Sequence, residues 1–187
     1  VLAEMALARG ARGLVHHIPN GVDLDQFERA DGVRIRRKLR VQGRLIGSVG
    51  NHDRPSELER VLGAAQALSA QECTFLIAGR GTAVPAARDL ADRTGMTNVV
   101  FEGYIPPAEA IDWISALDVG LCPYDRVPGS DARSPMRLLM YAAAGLPTVC
   151  TRLEEVQRMA FPNVVLVDDT PESLATGIRQ ALRLPKA

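Results

Sequence analysis

The chain has 187 residues, of which 47% are hydrophobic, so it is long enough for one well-buried domain and short for two. Lysine plus arginine and aspartate plus glutamate both number 22, and this zero net charge, without a basic tract, argues against a nucleic-acid partner. No apolar run approaches the ~20 residues of a membrane helix and no signal-peptide pattern opens the chain, so we expect a cytoplasmic protein.

The first 43 residues contain little that predicts a sheet. The chain begins at Val1 with the helix-like run VLAEMALARGARG, so we expect that the natural polypeptide starts upstream. A Pro-Asn-Gly turn lies within residues 16–23, HHIPNGVD, and a charged helix-like run follows over residues 34–40. We interpret 1–187 as a single domain in which residues 1–43 lead into a βα core over 44–182.

From residue 44 onward, short apolar runs alternate with helical patterns, which is typical of parallel βαβ units. The predicted strands are 44–50, 74–79, 98–103, 119–124, 147–151 and 164–168. The predicted helices are 57–69, 85–94, 107–116, 135–144, 154–159 and 171–182. The strand runs are almost continuously apolar, as a sheet covered on both faces requires. The predicted fold class is α/β, a Rossmann-like parallel sheet of about six strands with helices on both faces.

The three cysteines each lie in or beside a predicted strand: Cys73, Cys122 and Cys150. Their odd number and wide spacing do not match the usual ligand patterns of metal sites. We therefore expect small buried side chains in a reducing compartment, and no metal site.

The candidate site lies in the loops after the strands, because ligands of open parallel sheets bind beyond the carboxyl ends of the strands. The first loop offers Gly50 for close approach, Asn51, an imidazole at His52 that could be charged near phosphates, and a cation at Arg54. Arg54 is the better phosphate candidate. The alternative is an exposed loop in which Arg54 pairs only with solvent and with Glu57.

The second loop, Gly79-Arg80-Gly81, superficially resembles a dinucleotide-binding fingerprint. Val84 stands where the third glycine is needed, and no acidic residue ends a second strand at the expected spacing. We therefore expect no NAD or FAD cofactor. A close backbone approach explains the two glycines as well.

The loop over residues 123–135 ends at a predicted helix, whose first amides can bind an anion such as a diphosphate. Around that anion we place Ser134, Pro135, the amide of Met136 and the guanidinium of Arg137. The alternative needs no ligand: Ser134 caps the helix, Pro135 is its first residue and Arg137 is solvated.

Two motifs resemble one enzyme family. Residues 134–151, SPMRLLMYAAAGLPTVCT, are similar to the sugar-nucleotide segment of the retaining GT-B glycosyltransferases of group 1 (family 4). Residues 18–23, IPNGVD, with Phe27, match the signature at the start of that family's C-terminal domain. The resemblance implies a C-terminal domain that binds a nucleoside-diphosphate sugar as donor substrate, without a further cofactor, and helps to transfer the sugar.

The family resemblance also implies roles for individual residues. Arg54 and Arg137 would hold the diphosphate and stabilise its departure. The segment around Tyr104 and Ile105 matches a glycine-aromatic-apolar-proline stretch whose backbone edge typically meets the nucleobase. For the Tyr104 ring two positions stay open, stacking at the site or contact with the core, and we favour the core.

The acidic pattern of the family is changed here. Its ribose-binding glutamate corresponds to Met140, which cannot usefully accept hydrogen bonds from hydroxyls. A second acidic residue, eight positions earlier, corresponds to Ala132, beside Asp131, which could replace it only with a one-residue shift. We expect weak or altered donor binding. The alternatives are a non-catalytic binding or scaffold module, and another GT-B-like enzyme such as an epimerase or a phosphorylase.

The partners implied by the resemblance include more than the nucleotide sugar. A saccharide, lipid-linked or small-molecule acceptor would bind an N-terminal domain that this chain lacks, so we expect the isolated chain to turn over little. We also expect that the full-length protein can associate peripherally with a membrane.

Overall fold

The computed structural model describes residues 1–16, 18, 20–68, 73–127 and 129–186. Within these ranges it has six strands: β1 (Arg44–Val49), β2 (Cys73–Ala78), β3 (Val99–Glu102), β4 (Val119–Cys122), β5 (Thr148–Thr151) and β6 (Val164–Val167). The α-helices of the same ranges are α1 (Leu2–Ala8), α2 (Gly32–Leu39), α3 (Pro55–Gln66), α4 (Val84–Arg93), α5 (Ala110–Ser115), α6 (Met136–Ala143), α7 (Glu154–Met159) and α8 (Pro171–Ala181). Short 3-10 segments cover Leu24–Arg29, Pro107–Glu109 and Ser130–Ala132.

The six strands form one parallel sheet in the order β3-β2-β1-β4-β5-β6. β1 pairs with β2 along its whole length, whereas it pairs with β4 only at Ile46↔Val119 and Gly47↔Gly120. The chain therefore builds the sheet outward in opposite directions from β1 and β4, which is the strand order of a dinucleotide-type doubly wound sheet.

The predicted α/β class and all six predicted strands are confirmed, with ends that differ by at most two residues. Proline in the first turn starts α3 and α8, where a missing N–H costs nothing. Thr170 caps α8 by accepting a hydrogen bond from the N–H of Ser173 at 3.1 Å. Two predicted features lie outside the described residues, the helix end at Ser69 and the proline of the turn at Pro19.

Helices cover both faces of the sheet and produce two hydrophobic cores. The first core lies between the sheet and α3, α4 and α8, and its strand residues include Ile46, Phe75, Ile77, Val119, Leu121 and Val149. The second lies under α2, α5, α6 and α7, and includes Leu45, Leu76, Cys122, Cys150, Trp113 and Leu138. All three cysteines are buried, as predicted. No helix in the described part of the chain has both the length and the apolarity that a bilayer crossing requires.

Two glycines allow close approaches near the carboxyl end of the sheet. Gly79, directly after β2, has φ +122°, and a Cβ there would overlap the carbonyl oxygen of Gly50. Gly120 in β4 leaves room for the ring of Tyr141, which a Cβ would overlap. Both positions require glycine. At Gly79 the positive φ and the lack of space exclude a side chain, and at Gly120 the lack of space alone excludes one.

We predict that Gly79→Ala destabilises the chain strongly, by about 3 kcal/mol, because it adds left-handed backbone strain to a clash with backbone. Gly103→Ala is the matched control, since Gly103 directly follows β3 and a Cβ there meets nothing within 4 Å. Urea unfolding of the two variants measures the difference. Equal stability of Gly79→Ala and Gly103→Ala would contradict this account of the turn.

Candidate functional site

A cleft of about 520 Å³ opens at the carboxyl ends of β1 and β4, where the order of the sheet reverses. We call it the central cleft. It is lined by Val49, Gly50, Asn51, Asp53, Arg54, Glu57, Ala110, Ile114, Tyr124, Arg133, Met136, Arg137 and Met140. Six of the residues predicted for the site therefore meet there: Gly50, Asn51, Arg54, Met136, Arg137 and Met140.

Arg137, in the first turn of α6, is held at the floor of this cleft. Its Nη1 donates to the Oγ of buried Ser48 at 3.1 Å, and its Nη2 donates to the carbonyl of Asn51 at 2.9 Å. The guanidinium also lies 5.7 Å from the centre of the Tyr124 ring, within range of a cation–π interaction. The cation is thus fixed in position before any ligand arrives. It is partly buried rather than solvated.

The start of α6 differs from the helix cap considered in the sequence. The helix begins at Met136, Pro135 occupies the N-cap position, and no side chain of the described residues caps it. The Oγ of Ser134 is buried and has no hydrogen-bond partner in the described part of the chain. The Nδ2 of Asn20 donates to the carbonyl of Ser134 at 3.1 Å, which ties the N-terminal segment to this turn. Ser134 and Pro135 directly precede Met136 in the chain and are not among the residues that line the cleft.

His52 is not the charged group that the sequence suggested. It is 2% exposed, and its Nε2 lies 3.1 Å from the carbonyl oxygen of Ala78. Burial, and then the nearby charge of Arg137, lower the pKa of His52 to about 4. The imidazole is therefore neutral at pH 7 and fastens the loop after β1 to the end of β2.

Arg54 and Glu57 do not form the ion pair considered as an alternative. Among the described residues the cation nearest to the Glu57 carboxylate is that of Arg133, with Nη1 and Oε1 3.9 Å apart. The Arg133 guanidinium lies over the Tyr124 ring, 4.9 Å from its centre. Arg54 is exposed and lines the cleft. Three arginines of different elements, Arg54, Arg133 and Arg137, thus surround the central cleft.

Glu57 is one of the residues of this site that the sequence did not single out, as Arg133 is. It is 6% exposed although it lines the cleft. Burial raises the pKa of Glu57, and the charges of Arg137 and Arg133 oppose that shift. A glutamate in the first turn of a helix is usually explained by the helix dipole, so the sequence carried no signal of its role.

Tyr104 and Ile105 line a side recess of about 360 Å³ that joins the central cleft along Val49, Gly50 and Asn51. The expectation of a core position is wrong for Tyr104, which is 60% exposed, with the Arg80 guanidinium 5.1 Å from the centre of its ring. It follows the edge strand β3, where no further strand covers it. Ile105, by contrast, packs against the second core.

Asp131 and Met140 differ in their relation to the central cleft. Asp131 is not among the residues that line it. Its Oδ1 accepts a hydrogen bond from the N–H of Glu154 at 3.1 Å, because the free amides at the start of α7 attract a carboxylate. Met140 does line the cleft, and it also packs against the second core.

A larger cavity of about 690 Å³, which we call the amino-edge cavity, lies near the start of β1 and is lined in part by Arg36, Arg44, Arg179 and Asp118. Arg36 and Arg44 both pair with Asp118, at 2.8 and 3.4 Å, and Arg179 donates to the carbonyl of Ala67. Its cations are therefore already engaged. In the part of the chain that the structure describes, no three His, Cys, Asp or Glu side chains gather as metal ligands.

Residues 43–183 match the family described as glycosyl transferases group 1. The chain belongs to this family. The putative teichuronic acid biosynthesis glycosyltransferase TuaH of Bacillus subtilis is 28% identical over 154 residues, which cover 82% of this chain and 38% of that protein. The putative colanic acid biosynthesis glycosyl transferase WcaI of Escherichia coli is 28% identical over 182 residues, or 90% of this chain and 44% of that protein. The chain thus spans less than half the length of these two relatives.

Solved structures of low sequence identity share the fold. The structure of Anabaena HepE in complex with UDP and glucose superposes with a TM-score of 0.76 at 20% identity, covering 95% of this chain and 50% of that one. The C-terminal domain of the group 1 protein LpcC from Francisella tularensis gives a TM-score of 0.64 at 18% identity, covering 86% and 87% of the two chains. This group 1 family member therefore has the fold of known glycosyltransferase domains.

We predict that His52 makes the stability of the chain depend on pH between 6.5 and 4. Because its pKa is lower in the folded state than its ordinary 6.5, the unfolded state binds the proton more tightly. The stabilisation is complete above pH 6.5 and is lost as the pH falls towards 4, up to about 3 kcal/mol. Urea unfolding at a series of pH values should give a flatter profile for His52→Gln than for the wild type. The variant of exposed His16, His16→Gln, should keep the wild-type profile, and a wild-type slope in His52→Gln would contradict the assignment.

Proposed function

We propose that this chain is the donor-binding half of a glycosyltransferase and that the central cleft takes a nucleoside-diphosphate sugar. The observation that carries the proposal is the convergence of the first turn of α6, Arg137 and Arg54 at the point where the sheet reverses its order. Membership of the glycosyl transferases group 1 family supports it. So does the likeness in fold to HepE, which was solved with UDP and glucose.

In this proposal the diphosphate lies at the start of α6. No side chain of the described residues caps that helix, so its first amides are available to an anion. Arg137 uses two of its five N–H donors on Ser48 and Asn51, which leaves donors for a phosphate oxygen without loss of position. Arg54 and Arg133 add positive charge from the other walls of the cleft.

The nucleobase would then enter the side recess beside Tyr104 and Ile105. The recess opens from the central cleft, so a nucleoside linked to the diphosphate can reach both. Tyr104 is exposed, so its ring is accessible to a base. Backbone groups of this segment would read the base, so side chains do not select among uridine, guanosine and adenosine.

The chemistry proposed for this domain is stabilisation of the leaving group. As the hydroxyl oxygen of the acceptor bonds to the anomeric carbon, the bond from that carbon to the diphosphate oxygen breaks, the hydroxyl proton passes to solvent, and negative charge collects on the phosphate oxygens. Fixed arginines and helix amides that meet that charge stabilise the transition state by several kcal/mol where water is excluded. In this proposal the acceptor binds a further domain, and the chain's span of less than half the length of TuaH and WcaI is compatible with one.

We predict that UDP, GDP, ADP or dTDP at one hundred times its dissociation constant raises the melting temperature by roughly 5–10 °C. Arg137→Ala should weaken that nucleotide about tenfold to a hundredfold, because it removes a charged hydrogen bond. Isothermal titration calorimetry on the folded variants measures the dissociation constants. Arg93→Ala is the matched control, since Arg93 is exposed in the last turn of α4 and is not part of the cleft lining.

An unchanged dissociation constant in Arg137→Ala would contradict the proposed place of the diphosphate, and so would an equal loss in Arg93→Ala. Absence of binding by all four nucleotides would contradict the proposed function itself. The melting temperature of each variant without ligand separates lost binding from lost folding, because Arg137 also bonds to Ser48 and Asn51.

A further inference from the structure

Glu57 places a buried carboxylate with few protein partners in the wall of the central cleft. It is in the first turn of α3 and 6% exposed, yet it forms part of the wall of the central cleft. Its cation partner, the Nη1 of Arg133, is 3.9 Å away and belongs to a side chain that is 43% exposed. An ion pair of that length, with one exposed partner, offsets little of the cost of burying a carboxylate.

The neighbouring carboxylate of Asp125 has several hydrogen-bond donors and serves as a comparison. Asp125 accepts hydrogen bonds from the Oγ of Ser56 at 2.8 Å and from the Nη2 of Arg60 at 2.9 Å. Glu57 accepts no side-chain hydrogen bond from the described residues, and the backbone N–H of Asp125 accounts for only one of its lone pairs. Because buried carboxylates normally have several donors, Glu57 retains acceptor capacity that faces the cleft.

The other acidic side chain of the cleft lining is already engaged. Asp53 accepts hydrogen bonds from the N–H of Thr82 at 2.9 Å and from the side-chain amide of Asn51. Met140, at the position where the resembling family has a hydroxyl-binding glutamate, offers only a thioether. Among the residues that line the cleft, Glu57 is therefore the carboxylate with oxygens to offer to a ligand.

We propose that Glu57 binds a vicinal diol of the donor, accepting one hydrogen bond from each hydroxyl. This inference rests on the proposed function and names a specificity-determining residue within it. A nucleoside-diphosphate sugar carries such diols on its ribose and on its sugar, and both lie beside the diphosphate that the arginines of the cleft would hold. The proposal explains how the cleft keeps hydroxyl recognition with methionine at position 140.

The test compares Glu57→Gln with Glu59→Gln, an exposed glutamate of the same helix. Calorimetry with UDP, 2′-deoxy-UDP and UDP-glucose measures the dissociation constants; where GDP binds more tightly, GDP, 2′-deoxy-GDP and GDP-mannose replace them. If Glu57 binds the ribose, Glu57→Gln weakens UDP about tenfold and weakens 2′-deoxy-UDP by less, because that ligand keeps only the bond from its 3′-hydroxyl. If it binds the sugar, the variant leaves UDP unchanged and weakens UDP-glucose about tenfold.

Equal effects of Glu57→Gln on all three ligands, or no effect on any, would overturn the inference, and so would the same pattern in Glu59→Gln. With wild-type nucleotide binding that depends on Arg137, such a result leaves the proposed function standing. Absence of nucleotide binding in the wild type would overturn both. If Glu57→Gln does not fold, Glu57→Asp replaces it, because aspartate keeps the carboxylate on a side chain that is one methylene shorter. Glu57→Asp should weaken the same ligands, with smaller changes in their dissociation constants.

Discussion

The order of the parallel sheet is the constraint on which the site depends. β1 and β4 lie side by side at the centre, and their ladder is short, ending at Gly47↔Gly120. Beyond that pair, two side chains of α6 bond to the last residues of β1. The N–H of Val49 donates to the Oη of Tyr141 at 2.9 Å, and Arg137 donates to the Oγ of Ser48. At Ser48 and Val49, where β1 is no longer paired with β4, α6 thus supplies the hydrogen-bond partners. These bonds hold the first turn of α6 at the opening of the cleft.

The electrostatics of the cleft follow from this arrangement. Burial, and then the charge of the Arg137 guanidinium, keep His52 neutral, so the positive charge of the site comes from arginines and helix amides and does not vary near pH 7. Tyr124 supports two of the arginines, at 4.9 and 5.7 Å from its ring centre. Glu57 adds one buried carboxylate to this basic surface. A site with that balance suits a ligand that is an anion at one end and a polyol at the other.

The sequence predicted the fold well because its strongest signals were physical requirements of the fold. Strands that are covered on both faces must be apolar throughout, and all six were found within two residues of their predicted ends. The glycine at position 79 indicated a close backbone approach, and the helix predicted to begin at the proline of position 171 does begin there, for similarly direct reasons. The rule that ligands bind beyond the carboxyl ends of the strands then indicated the correct edge of the sheet.

The details of the site were harder to predict because they depend on side-chain partners far apart in sequence. Ser134 looked like a helix cap, but the helix starts two residues later and the hydroxyl has no partner among the described residues. Asp131 could serve as a sugar ligand only with a one-residue shift, and nothing in the sequence indicated that its carboxylate accepts a hydrogen bond from the amide of Glu154. The proposed role of Glu57 can be inferred only when its burial and the positions of Arg133 and Met140 are known together. No spacing rule connects those three residues.

A crystal structure of this chain with UDP would show where the diphosphate binds. We expect diphosphate oxygens within hydrogen-bond distance of the amides of Met136 or Arg137 and of the guanidinium of Arg54 or Arg133, with the base in the side recess. UDP bound in the amino-edge cavity with Arg36 and Arg44, or with its diphosphate directed away from α6, would contradict the proposed diphosphate site.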